Sequence, residues 1–205
     1  MPQKNTLKVY SPESYYHIYS RGTNKQKIFI SAADYTYFEH LLERYLGPEI
    51  VVSAAGVAYP NYHEQVRLLA YCLMPNHIHL LVYQNEEAES VSSLMRSLLT
   101  SYSKYFNARY KRVGTLFESR YKAKRIDNDM YLQHIGRYIH MNPRNWQTWR
   151  HSSLQYIFAR EVPLWLSVEE VTQDFEDRVD YVQFLEEYQT QKDSLELIKR
   201  ELADK

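Results

Sequence analysis

The chain alternates between the two-residue period of strands and the 3.6-residue period of helices. Residues 15–21, Tyr-Tyr-His-Ile-Tyr-Ser-Arg, are aromatic and β-branched, and predict a strand closed by Gly22 and Asn24. A helix begins at Asp34 and runs to Leu46. Tyr35, Phe38, Leu41, Leu42 and Tyr45 form its apolar stripe, and Gly47-Pro48 stops it. Ile50–Ala58 reads as a short strand and 60–63 as a loop. Val66–Leu73 is nearly all apolar, which suits a buried strand. Met74-Pro75-Asn76 breaks it, and His77–Tyr83 returns as the second arm of a hairpin.

Ser90 is placed to cap a helix running to Tyr110, with Val91, Leu94, Met95, Leu98, Leu99, Tyr102 and Phe106 at helical spacing. Phe117–Ile126 reads as a further strand. Asp127 or Asn128 then caps a helix through Met141, ended ahead of Pro143. Beyond Asn145 the pattern weakens. Trp146, Trp149, Tyr156 and Phe158 are expected to fold back on the core, and Val168–Phe175 and Tyr181–Glu187 to form short acidic helices. This order predicts an α+β sandwich with a mainly antiparallel central sheet. It occupies residues 1–160, with a small acidic helical extension over 161–205.

The 205-residue length suits one such domain with an appendage. The net charge of zero hides a gradient: residues 1–160 hold 20 Lys and Arg against 12 Asp and Glu, and residues 161–205 hold 5 against 13. Between 96 and 125 stand nine basic residues and a single acid, Glu118. A stripe of that density suits a polyanion such as nucleic acid, although a solvated surface balanced by the acidic tail accounts for charge alone. One cysteine, Cys72, cannot close a disulfide within the chain or build a structural zinc site. With no apolar signal core and no membrane-length run, a cytoplasmic protein is expected, nucleoid-associated when bound to DNA.

The sharpest chemical feature is His77-Ile78-His79. In a strand, residues i and i+2 face the same way, so both imidazoles can address one divalent metal ion. A structural pair is the plain alternative. The helix over 127–141 is the best source of a third ligand. Tyr138 and Asn142 are four apart on one face, and the Asn142 amide oxygen can complete the set. His134 shares that face and reads as a packing or hydrogen-bonding residue, while His140 faces away and reads as structural. A phenol ionises near pH 10, so Tyr138 needs a metal, a cation or a base to act as a nucleophile. Tyr131 is a rival on the same helix.

Four stretches together carry a family pattern: Tyr16-His17-Ile18-Tyr19-Ser20-Arg21-Gly22, Ala70 through Val82 around the histidines, Gly114 through Lys122, and Arg137-Tyr138-Ile139-His140-Met141-Asn142-Pro143. The sequence closely resembles the REP-associated tyrosine transposases, within the single-strand-specific HUH transposases that use one catalytic tyrosine. The resemblance implies a ferredoxin-like sandwich. It implies an enzyme that cuts single-stranded DNA near imperfect hairpins, with magnesium or manganese, joining its tyrosine to the 5′ end and leaving a free 3′ hydroxyl. It casts Tyr138 as nucleophile and His77, His79 and Asn142 as metal ligands. Asn142 stands where the insertion-sequence branch often has glutamine. Insertion-sequence relatives are dimers, so a homodimer is a possible assembly, while REP-associated relatives can be monomeric. The segment 50–64 and the acidic tail depart from the family pattern.

DNA contacts are expected from Arg21, Lys25, Lys104, Arg109, Lys111, Arg112, Arg120, Lys122, Lys124 and Arg125, with Arg120, Lys122 and Lys124 alternating along one strand face. Tyr102, Tyr105, Tyr110 and Tyr121 are candidates for stacking on unpaired bases, although most tyrosines belong to a core. Two other functions compete with strand transfer. One is a domesticated hairpin-binding protein with little or no cleavage. The other is a metal-dependent nuclease that uses water, with Tyr138 merely structural.

Overall fold

The computed structural model describes residues 10–126 and 129–187. Its elements follow the order β1 (Ser14–Arg21), α1 (Ala32–Leu46), β2 (Val66–Met74), β3 (His77–Gln84), α2 (Ser90–Arg109), β4 (Lys122–Ile126), α3 (Asp129–His140), α4 (Glu169–Thr172) and α5 (Arg178–Glu187). The four strands form one sheet in the spatial order β2-β3-β1-β4. Each neighbouring pair is antiparallel. This βαββαβ order with its split strands is the ferredoxin-like arrangement expected from the sequence.

Strand alternation separates two layers. On one face, Ile18 lies opposite Leu80 and Ala123. The Tyr71 hydroxyl on that face reaches Glu39 of α1 at 3.4 Å, and the Gln84 side chain accepts the Val91 N–H of α2 at 3.1 Å. Both long helices therefore cover this face. Phe38 of α1 and Tyr102 of α2 meet edge to face at 5.0 Å within a continuous core that includes Ile18, Leu80 and Val82. On the other face, Tyr19 lies opposite His79 and Lys122, and Arg21 opposite His77. Helix α3 crosses there, and behind it pack α4 and α5, whose Val171, Tyr181 and Leu185 are fully buried. Each such side chain contributes about 1.5–3 kcal/mol on burial.

Several boundaries differ from the sequence reading. Ile50–Ala58 forms a single bridge, Val52 to Ala58, around Gly56 at φ +77°, and no strand. Ile50, Val52 and Val57 are exposed, so their β-propensity finds no neighbouring strand to pack against. The last strand begins at Lys122, and Phe117 makes only an isolated bridge to Gly22. Ser90 does not cap α2: it is the first helical residue, and the Gln84 side chain of β3 takes the orphan N–H. Asp34 is the third residue of α1, where its carboxylate accepts the Ile30 and Ser31 N–H groups, each at 2.8 Å. Only Glu169–Thr172 of 168–175 is helical, and the following helix starts at Arg178. Trp146 folds back on the core as expected, and Trp149 and Tyr156 pack against it. Phe158 instead stands 41% exposed. The expected caps Asp127 and Asn128 lie outside the described residues.

The outer edge of β2 is covered. Leu73 N–H donates to the His151 carbonyl and Ser167 N–H to the Leu68 carbonyl, both at 2.8 Å. Among the described residues, no helix is long and apolar enough to cross a membrane.

Candidate active site

Three short segments build the site. The tight Pro75-Asn76 turn starts β3 at His77, so His77 and His79 lie on the α3 face of the sheet. Helix α3 ends at His140, and Pro143 disfavours helical backbone at Asn142. Asn142 is thereby delivered just beyond the helix terminus, one turn past Tyr138. Strand β1 supplies His17 and Tyr19 from beside the histidines.

The geometry is convergent. Asn142 Oδ1 lies 3.0 Å from His77 Nε2, and Asn142 Nδ2 lies 3.4 Å from His79 Nε2. The Tyr138 ring stands perpendicular to His79 at 5.4 Å and to His17 at 5.9 Å, measured between centroids. Tyr138 on α3, Asn142 just past its end, and His77 and His79 on one strand thus form a single cluster.

Each imidazole is held from behind. Asn76 Nδ2 donates to the Lys25 carbonyl at 3.2 Å, which turns its Oδ1 toward His77 Nδ1 at 2.6 Å. An amide oxygen only accepts, so His77 carries its proton on Nδ1 and leaves a lone pair on Nε2. His79 Nδ1 pairs with His17 Nε2 at 2.9 Å, with the two rings nearly parallel. Burial lowers the affinity of all three rings for a second proton. His17 falls to about 3, from burial and then the Lys124 charge. His79 lies well below the ordinary value, from burial, His17 and His77. His77 is lowered by burial, against the raising effect of Asn142. Neutral imidazoles are the ligand form.

This donor set fits a divalent cation. With the His77 proton on Nδ1, its Nε2 lone pair faces Asn142 Oδ1 at 3.0 Å, an arrangement that a shared cation would stabilise. Among the described residues, no trio of His, Cys, Asp or Glu side chains is arranged to hold a metal, and the Asn142 amide is the further oxygen that stands beside the histidine pair.

The remaining sequence candidates divide. His134 bonds Arg137 at 2.6 Å, a local structural role. His140 is buried on the opposite side, between Tyr181 and Ser153. The side chain of Tyr131 lies outside the described residues. Lys122 and Lys124 share the histidine face, opposite Tyr19 and His17. Arg120 precedes the strand and does not extend their row. Arg125 points to the other face, donating to Ser11 Oγ at 3.0 Å. Arg21 is gripped by the Glu118 carboxylate at 3.0 Å and lies over the Tyr19 ring. Lys25, Lys104 and Lys111 are exposed. Arg109 is exposed beside Asp34, and Arg112 donates to Gln26 at 3.0 Å.

The stacking candidates fare less well. Tyr102 and Tyr121 are buried, while Tyr105 and Tyr110 direct their hydroxyls to Asp34 at 3.1 and 2.7 Å. Sequence reasoning gave no role to His17 or Asn76. The alternation His17-x-Tyr19-x-Arg21 was the available signal, but only the β1–β3 register reveals that it faces the His pair.

Comparison with known proteins bears on the family and the fold. Residues 57–142 match the family described as "Transposase IS200 like". The fold is similar to the structure of a REP-associated tyrosine transposase bound to a REP hairpin, with a TM-score of 0.57 and 16% identity over 85% of this chain and 96% of that one. A crystal structure from Deinococcus radiodurans R1, described as a transposase, aligns with a TM-score of 0.41 and 12% identity, over 64% of this chain and 93% of that one. No curated protein sequence matches. The matched stretch, which covers less than half of the chain, contains both histidines, Tyr138 and Asn142, and over it the chain is similar to the IS200-like transposases.

Proposed function

We propose that this protein is a transposase of the IS200-like kind, a metal-dependent endonuclease and strand-transferase for single-stranded DNA next to imperfect hairpins, with Tyr138 as nucleophile. The observation that carries the reading is the meeting of Tyr138 and Asn142 with two neutral imidazoles whose outer nitrogens are fixed by Asn76 and His17. His77 Nε2, His79 Nε2 and Asn142 Oδ1 would hold magnesium or manganese. The bound ion would polarise the scissile phosphate and favour the phenolate.

The chain's own groups do the rest. Asn76 holds His77 in the tautomer that exposes Nε2, and His17 orients the ring of His79. Lys122 and Lys124, on the same face, draw the DNA backbone toward the site without reading its sequence. The Tyr138 oxygen bonds to phosphorus as the bond to the 3′ oxygen breaks. The phenolic proton is lost, and the departing 3′ oxygen takes one up as a hydroxyl. The DNA 5′ end is left as a phosphotyrosine. Reversal by a 3′ hydroxyl rejoins strands without a nucleotide cofactor, because the ester bond is retained.

The test is a denaturing gel of the protein mixed with labelled single-stranded hairpins and manganese. A covalent band that needs the metal and disappears in Tyr138→Phe supports strand transfer. Tight hairpin binding with no band supports a domesticated binder. Cleavage without a protein-linked product supports a water-using nuclease.

A further inference from the structure

The helix that carries Tyr138 and leads into Asn142 is held on its far side by the C-terminal segment. His140 lies between those two residues in sequence and is fully buried. Its Nδ1 lies 2.7 Å from the Tyr181 hydroxyl of α5, and its Nε2 lies 2.7 Å from Ser153 Oγ. Ser153 Oγ in turn accepts the Tyr71 N–H of β2 at 2.8 Å and donates to the Tyr71 carbonyl at 3.3 Å.

One proton arrangement satisfies every member. Tyr181 donates to His140 Nδ1, His140 Nε2–H donates to Ser153, and Ser153 donates to Tyr71. The relay ties α5, α3 and the sheet together at one point. Two further contacts fix the helix. Gly136 lies so close to α4 that an added Cβ would stand 2.8 Å from Val171 Cγ1. The Arg137 guanidinium lies 4.1 Å above the Phe184 ring and donates to the Phe184 carbonyl at 3.1 Å.

We propose that α4 and α5 belong to the catalytic unit, with Tyr181 a positioning residue that acts through His140 to set the register of α3, so that Tyr138 and Asn142 meet the histidines of the same chain. The inference rests on the cleavage reading for its consequence, but its structural part stands by itself. A helix fixed on one side only by an open site would be free to turn or shift. A rotation of one residue would carry Tyr138 and Asn142 away from the histidines. The relay and the Gly136 contact oppose that movement.

The experiment compares the full chain with Tyr181→Phe, Gly136→Ala and the pair Gly136→Ala/Val171→Ala. It measures amide exchange across 132–140, hairpin affinity, and the adduct rate at saturating hairpin with manganese. In Tyr181→Phe and Gly136→Ala, α3 is expected to exchange about tenfold faster while β1 and β3 are unchanged. Hairpin affinity should stay within about twofold, and the adduct rate should fall about tenfold or more. The Val171→Ala partner should restore both exchange and rate in Gly136→Ala. Wild-type exchange in α3, or loosening of the whole sheet with loss of hairpin binding, overturns the proposal. A wild-type chain that makes no adduct contradicts the cleavage reading instead, and the exchange data then decide the positioning role alone.

Discussion

His77 Nε2 and Asn142 Oδ1 stand 3.0 Å apart, two acceptors brought together from a strand and the end of a helix. Asn76 fixes the proton of His77 on the opposite nitrogen, so Nε2 presents its lone pair to the amide. On the proposed reading, a divalent ion would be held between them. This relationship leads to the first expectation. Asn142→Ala should weaken manganese binding by about tenfold or more, whereas Asn142→Gln, with the same amide on a longer arm, should retain part of it. Calorimetric titration of both variants with manganese checks this; equal losses would remove the amide from the ligand set.

His17 should matter although it does not face the metal position directly. Its Nε2 pairs with His79 Nδ1 in a buried setting. His17→Ala should lower manganese affinity by about 10–100-fold, and His17→Gln, which can still accept from His79, should recover much of the loss. Nitrogen NMR of the imidazoles gives a second check. Wild type should show His79 protonated on Nδ1. A proton found on Nε2 would contradict the ligand assignment.

Lys122 and Lys124 share the histidine face, and Arg125 does not. Replacing either lysine by alanine should weaken hairpin binding and reduce the slope of log affinity against log salt by about 0.7–0.9. Arg125→Ala should change that slope less. Equal effects at all three positions would mean that DNA spreads over both faces of β4.

Asp34 supplies a test of the scaffold apart from the chemistry. Burial would raise its pKa, but the Ser31 and Ile30 N–H groups and the Tyr110 and Tyr105 hydroxyls together hold it below the ordinary value. A depressed carboxyl stabilises the fold above its unfolded pKa of about 3.9, and that stability is lost as pH falls through the lower folded value. Asp34→Asn should therefore cost stability at neutral pH, about 1–3 kcal/mol, and make the acid loss shallower. Urea unfolding at pH 7 and pH 3 measures both.

Much of this was legible in the chain. The apolar Val66–Leu73 run and the returning His77–Tyr83 run fixed the central hairpin. Helical spacing fixed α1 and α2, and the four-residue interval of Tyr138 and Asn142 fixed their common face. Ile50–Ala58 misled because β-branched residues favour a strand only where another strand can pair with them. The second layer around the histidines was not readable. His17 approaches His79 only through the β1–β3 register, and Tyr181 reaches His140 only once α5 has packed. Both depend on contacts that local pattern does not encode.

The central claim is that Tyr138 becomes covalently joined to DNA. Its most direct test is mass spectrometry of the protein after reaction with a single-stranded hairpin and manganese, followed by nuclease trimming and peptide mapping. The account predicts a nucleotide remnant on the tyrosine at position 138 and a free 3′ hydroxyl on the released strand. A remnant on Tyr131, or cut DNA with every tyrosine unmodified, would contradict it.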